Sequence, residues 1–220
     1  IENWDGTSWS TSPVSLVSQG NEQAAGQGSS ASSVSAFGGS AGSSLAEQFN
    51  RSTNVVTAAA WSSGASLPGV RWNTSGAGTQ TAGLVFGGAT GPGTPTFLDT
   101  TFEYDGSSWT GGGATPINSI NQFSAGIQTA AIGGGGLASG GSNTATAYTY
   151  NGTSWTGITS TPEVTKGAGA AGTSTACLIY GSDVPSTSMN QDSYSWNGSS
   201  WSEEGAMNTN FQNGASGGPT

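Results

Sequence analysis

Histidine is absent from this sequence, basic residues number three (Arg51, Arg71 and Lys166), and there is a single cysteine. Each shortage excludes a class of chemistry. Without imidazole there is no Ser-His-Asp or Cys-His triad and no histidine-ligated metal site. Three cations against 12 acidic residues leave a net charge of -9. Phosphate neutralisation needs clustered lysine and arginine, so no nucleic-acid partner is expected. The same deficit argues against anionic bilayers. No apolar stretch approaches the ~20 residues that span a bilayer, so no membrane insertion is expected. Cys177 has no second cysteine with which to form an internal disulfide. Its apolar run, TACLIY, reads as the site of a buried, inert thiol. No segment keeps a 3.6-residue periodicity, so no helix is expected.

What the sequence does have is aromatic and small residues. Eight Trp, seven Phe and five Tyr argue for ordered packing, and 38 Gly with abundant Ser and Thr suit short strands and tight turns. One phrase recurs: NWDGTSW at 3–9, EYDGSSW at 103–109, TYNGTSW at 149–155 and SWNGSSW at 195–201. A fifth copy is stretched (FNRSTNVVTAAAW) and ends at Trp61. The closing tryptophans, Trp9, Trp61, Trp109, Trp155 and Trp201, are spaced by 52, 48, 46 and 46 residues. The residue 17 positions after each is glycine: Gly26, Gly78, Gly126, Gly172 and Gly218. At this glycine content, chance gives five of five on the order of once in ten thousand trials. An apolar run closed by glycine is a third marker: SAFGG to Gly39, LVFGG to Gly88, AAIGG to Gly134, and LIYGS to Ser182.

Each unit therefore predicts four strands. A small-residue strand comes first, and the apolar strand ending in Gly-Gly second. A polar loop leads to the third strand. An Asx-Gly hairpin then leads to the fourth, which carries the tryptophan. Four short antiparallel strands per 46–52 residues is the build of a propeller blade. Gly, Ala and Ser fit near a crowded axis, and aromatics fill the space where blades splay. The expected fold is all-β, with complete blades at 10–61, 62–109, 110–155 and 156–201. Residues 1–9 would end a preceding blade and 202–220 begin a further one. Ile1 falls in mid-pattern, so a leader would lie upstream, and the chain is expected to continue into a longer ring.

At these residues the sequence resembles a kelch repeat, in which an apolar strand ends in Gly-Gly and is followed by a Tyr and then a Trp. Here Gly87-Gly88 is followed by Tyr104 and Trp109, and Gly133-Gly134 by Tyr150 and Trp155. The copy at Gly181-Ser182 is looser, with Trp196 and Trp201, and the copy at Gly38-Gly39 spoils the Tyr–Trp spacing. The resemblance implies a kelch-like β-propeller and leaves function open. The YDGSSW wording with Thr/Ser/Gly filler is similar to kelch-like repeats in structural and tail-fibre proteins of marine bacteriophages. That similarity implies a non-enzymatic virion surface protein, placed on the virion or outside the cell. Its partners would be other virion proteins, further copies of itself, or a cell-surface glycan. A secreted or cell-surface bacterial adhesin that binds carbohydrate is the alternative, and a polysaccharide-acting propeller enzyme a third.

No catalytic constellation stands out. A copper site of the galactose-oxidase kind needs histidine, and a sialidase needs three arginines on the substrate carboxylate where this chain has two. The sialidase Asp-box, Asp-x-Gly-x-Thr-Trp, fails here by one residue because Asp105 adjoins Gly106. Glycoside hydrolysis needs two facing carboxylates. Asp99, Glu103, Asp105, Glu163, Asp183 and Asp192 show no pairing in their spacing and read as turn-forming or solubilising residues. GGGG at 133–136 is not a phosphate loop, since no Gly-Lys-Ser/Thr follows. The hairpin Asx residues could offer oxygen to Ca²⁺ or cap their own backbone in Asx-turns, and the turn is the expected use. Sequons occur at Asn50, Asn73, Asn151 and Asn197, two of them produced by the repeat itself. No cofactor or metal is expected.

Propeller ligands usually meet loops at a ring face. The variable loops are 39–46, 89–98, 135–144 and 183–191, with the linkers after each tryptophan. Arg71 and Trp72 stand out there, because an arginine beside a tryptophan can stack on a sugar ring and hydrogen-bond its hydroxyls. The alternative is that Trp72 covers a neighbouring blade and Arg71 is solvated. Asn118, Gln122 and Lys166 lie in the matching linkers and complete the candidate ligand-binding set.

Overall fold

The computed structural model describes residues 2–4, 9–11, 25–30, 33–37, 46–50, 60–184, 188–209 and 216–217, with side-chain environments over 62–183 and 190–209. Gly39, Arg51 and Gly218 lie outside the described residues, and the side chains of Trp9 and Trp61 outside the described side chains. No helix occurs among the described residues.

A hairpin pairs β1 (Glu2–Trp4) with β2 (Trp9–Thr11). Four antiparallel sheets follow, each a meander in chain order. The first holds β3 (Ala25–Ser30), β4 (Ser33–Phe37), β5 (Ala46–Asn50) and β6 (Ala60–Ser63). The second holds β7 (Ser75–Thr79), β8 (Ala82–Phe86), β9 (Thr101–Tyr104) and β10 (Trp109–Gly112). A short β11 (Ser119–Ile120) precedes the third sheet, whose strands are β12 (Phe123–Ile127), β13 (Ala130–Gly134), β15 (Ala147–Tyr150) and β16 (Trp155–Ile158). Between them β14 (Leu137–Ala138) returns to pair with β11. The fourth sheet has β17 (Gly169–Thr173), β18 (Ala176–Val184), β19 (Ser188–Trp196) and β20 (Trp201–Glu203), and β21 (Ser216–Gly217) runs parallel beside β17. The first strands β3, β7, β12 and β17 lie next to one another from sheet to sheet. This is a β-propeller-like arrangement.

Two cores sit between neighbouring sheets. Leu84, Phe86 and Ala77 of the second sheet pack with Ala131, Tyr148 and Tyr150 of the third. Phe123, Ala125, Ile132 and Ala147 of the third pack with Ala170, Cys177, Ile179, Tyr194 and Trp196 of the fourth. Burial raises the Cys177 thiol to about 12, which makes it inert. Small residues on the inner strands let serine hydroxyls reach the neighbouring backbone: Ser124 Oγ donates to Gly76 O at 2.6 Å, and Ser75 Oγ to Gln122 O at 2.8 Å.

The glycine 17 residues after each tryptophan has a backbone reason. Gly78, Gly126 and Gly172 have φ of 104°, 99° and 115°. A Cβ on them would lie 2.2, 2.4 and 2.2 Å from the carbonyl oxygens of Ala82, Ala130 and Ala176. Any other residue would strain the turn into the second strand.

One sequence expectation is sharpened and one needs correction. The Gly-Gly kink after the apolar strand is Gly87-Gly88 in the second sheet, with φ of 63° and 87°. In the third it is Gly135-Gly136, with φ of 65° and 90°, while Gly133-Gly134 end the apolar strand as expected. Those two belong to β13, where Gly133 pairs with Tyr148 and Gly134 with Ala147. A Cβ on Gly133 would meet the Phe86 ring of the neighbouring sheet at 2.7 Å. The stretch 183–191, expected as a loop, instead carries strand pairing: Ser182 faces Asn190, Asp183 faces Met189 and Val184 faces Ser188. Ser182 stands where the other copies have the second kink glycine. The strands run on past it through a register shift between Tyr180 and Ser182.

Candidate functional site

The outer hairpins are built alike. Tyr104 faces Trp109, Tyr150 faces Trp155 and Trp196 faces Trp201, with ring centroids 4.8, 4.8 and 5.2 Å apart. In the stretched copy Phe49 still faces Trp61, so the aromatic–tryptophan pairing is kept. The indole N–H of Trp155 donates to Thr101 Oγ1 of the preceding sheet, and those of Trp109 and Trp201 to Ala65 O and Thr159 O, just past the last strand of the preceding sheet. Trp155 also packs on Phe86 of the neighbouring sheet, at 4.6 Å.

The turns close through their Asx side chains. Asp105 Oδ1 accepts from the backbone N–H of Ser107 and Ser108 at 2.8 and 2.7 Å. Asn151 Oδ1 does the same with Thr153 and Ser154, and Asn197 Oδ1 with Ser199 and Ser200. The N–H of Ser108, then the hydroxyl and N–H of Ser107, hold the Asp105 carboxyl well below the usual range. These oxygens are spent on Asx-turns. Among the described residues, no group of three His, Cys, Asp or Glu is placed to hold a metal ion.

The loop face is different. Arg71 is 3% exposed. Its Nη1 donates to Gly87 O at 2.8 Å and its Nη2 to Thr100 Oγ1, and the guanidinium lies 4.8 Å from the Phe102 ring centroid. Burial lowers its pKa to about 10, opposed by Asp99, so it stays charged at neutral pH. The position ten residues after the tryptophan is Arg71, Ser119 or Thr165, and all three are buried. Ser119 Oγ reaches Gly135 O, the counterpart of Gly87 O, at 3.5 Å. Arg71 thus serves the kink carbonyl from inside, with two of its donors already engaged.

Trp72 is half-buried and trades two backbone bonds with Ala89, both 2.8 Å. Lys166 occupies the same repeat position and forms a 2.7 Å ion pair with Asp183. Asn118 is exposed, with Nδ2 donating to Phe97 O at 3.0 Å. Gln122 is buried; Nε2 donates to Ser119 O at 2.9 Å, and Oε1 accepts from the Tyr148 hydroxyl. The structure therefore leaves Trp72 half-buried and Asn118 exposed, one bonded to each end of the 89–98 loop, and buries Arg71 and Gln122.

Sequence reasoning missed two features here. The first is the residue 12 positions after each tryptophan, which is Asn21, Asn73, Asn121, Gly167 and Asn213. Asn73 and Asn121 have φ of 50° and 56°, a left-handed conformation that Asn and Gly adopt most cheaply. Asn121 N donates to Asn73 O, and Gly167 N to Asn121 O, linking one unit to the next. The second is a Thr-Pro pair. Thr115 and Thr161 are buried, and each bonds back to the loop of the sheet it follows, at Asp99 O and Ala145 O. Counting outward from the tryptophans would have exposed both.

Neither a protein-family model nor a curated protein matches the sequence. Among solved structures, that of YjhT is similar to this chain, with a TM-score of 0.74 over 90% of this chain and 69% of that one, at 13% identity. At that identity the likeness concerns the fold alone.

Proposed function

We propose that this chain is a kelch-like β-propeller region of a virion surface protein, part of a phage fibre or decoration. It works without catalysis as a scaffold whose loop face adheres to a host glycan. The observation that carries this reading is the split within each repeat. Hairpin and axial positions keep one set of interactions from blade to blade, whereas the loop-face positions beside them change chemistry. A scaffold of that kind suits display and binding more than a single reaction. The YDGSSW wording supports the virion assignment, and so does the scarcity of Lys and Arg, which leaves few tryptic sites on an exposed particle. Mass spectrometry and cryo-microscopy of purified phage particles test it. The chain should be found on the virion; recovery only from uninfected cells would reject the virion reading and favour the surface adhesin. Sustained glycan degradation, lost on replacing one acidic residue, would reject the non-enzymatic reading.

A further inference from the structure

Three units present the same backbone arrangement at the loop face with different side chains. The residue 11 positions after the tryptophan is Trp72, Ile120 or Lys166. Each pairs with the start of its unit's loop, at Ala89, Leu137 and Asp183. These pair in turn with Phe97, Asn143 and Met189 on the returning strand. In the unit of the third sheet the entry residue is aliphatic and covered: Ile120 is 4% exposed. The scaffold therefore does not need an aromatic there. In the unit of the second sheet both outer members are aromatic and both keep part of their surface in solvent.

Resting on the glycan reading above, the geometry points to Trp72 and Phe97 as the stacking subsite for a neutral saccharide. Residues directly opposite one another across antiparallel strands share a face. Trp72, Ala89 and Phe97 are thus side by side, with the two aromatics about 10 Å apart across a covered alanine, given strand spacings of about 4.8 Å. A pyranose offers an apolar C–H face that stacks on such rings, and its hydroxyls need an adjacent polar group. Exposed Asn118, tied to Phe97 O, supplies an amide there. Charge selects the class of sugar. Among the described cations, Arg71 is buried and Lys166 is paired with Asp183, while Asp99 follows Phe97 by two residues. An acidic sugar would meet the Asp99 carboxylate and find no described cation available to pair with it.

The test is an array of neutral hexose and N-acetylhexosamine oligosaccharides beside sialylated and sulfated ones. The strongest neutral hit is then titrated against variants. Binding to neutral glycans is expected, weakened roughly tenfold or more by Trp72→Ala and by Phe97→Ala, and retained within about threefold by Trp72→Phe. Thermal melts verify folding; should Trp72→Ala not fold, Phe97→Ala and Asn118→Ala decide the matter. Neutral binding that survives the alanine changes in folded protein overturns the subsite and leaves the glycan reading standing. Binding to acidic glycans alone overturns the neutral class. An array with no binding at all removes the glycan reading and the subsite together.

Discussion

At the outer edge of three sheets, Asp105, Asn151 and Asn197 make the same two backbone bonds, and the aromatic–tryptophan pairs beside them keep centroid distances within half an ångström of one another. At the inner entry of the same units the matching residues are Trp72, Ile120 and Lys166. Yet the flanking backbone stays fixed there too, with Asn73, Asn121 and Gly167 all left-handed. The comparison teaches that the repeat is held by positions whose geometry admits few residues. The positions that vary lie where the geometry admits many.

Substitutions should break the two regions in different ways. Gly126→Val is expected to do the most damage, because its Cβ would meet Ala130 O at 2.4 Å in a backbone with φ of 99°. A loss of about 4 kcal/mol or failure to fold is expected, read by denaturant titration. Trp155→Ala removes contacts with Phe86, Tyr148 and Tyr150 and should lose about 3 kcal/mol. In a chain this long that corresponds to a melting-temperature fall of roughly 6–12 °C. Arg71→Ala should lose about 2 kcal/mol by removing the 2.8 Å donor to Gly87 O, which keeps only the Thr74 hydroxyl at 3.4 Å. A solvated arginine would lose almost nothing, so this variant separates a buried role from a surface one.

The smallest effect is one of pH. The Asp105 carboxyl is depressed in the folded chain, so its contribution is present above the ordinary aspartate value of about 4 and fades as pH falls below it. Asp105→Asn should leave the melting temperature at pH 7 unchanged, since Asn151 and Asn197 make the same turn. It should also make the decline between about pH 4 and 2 shallower. An unchanged acid profile would detach Asp105 from that decline.

The hairpins were legible in the sequence because their chemistry is local: an Asx-Gly turn between aromatics specifies itself within seven residues. The glycine after each tryptophan was legible by counting, although its cause, a carbonyl pressing on the missing Cβ, was not. The kink in GGGG at 133–136 was not legible from the apolar run alone, although counting 26 and 27 residues from Trp61, Trp109 and Trp155 gives Gly87-Gly88, Gly135-Gly136 and Gly181-Ser182. Pairing with Phe123 and Ala147 settles it, and both are tertiary contacts. The pairing within 183–191 escaped because Ser, Asp and Pro read locally as a loop. Of the candidate site, the sequence singled out Arg71 and Trp72 together. Alternation along the chain sends the arginine inward to Gly87 O and leaves the tryptophan half-buried. Phe97 escaped notice because only strand return brings it across from Trp72.

The whole account depends on neighbouring sheets stacking through their aromatics, and a double-mutant cycle on Phe86→Ala and Trp155→Ala tests this most directly. The rings come from different sheets, 69 positions apart in sequence, with centroids 4.6 Å apart. Unfolding free energies of the two single variants and the double variant should show a favourable coupling of about 1 kcal/mol. Losses that simply add, to within about 0.3 kcal/mol, would mean that these sheets do not face one another.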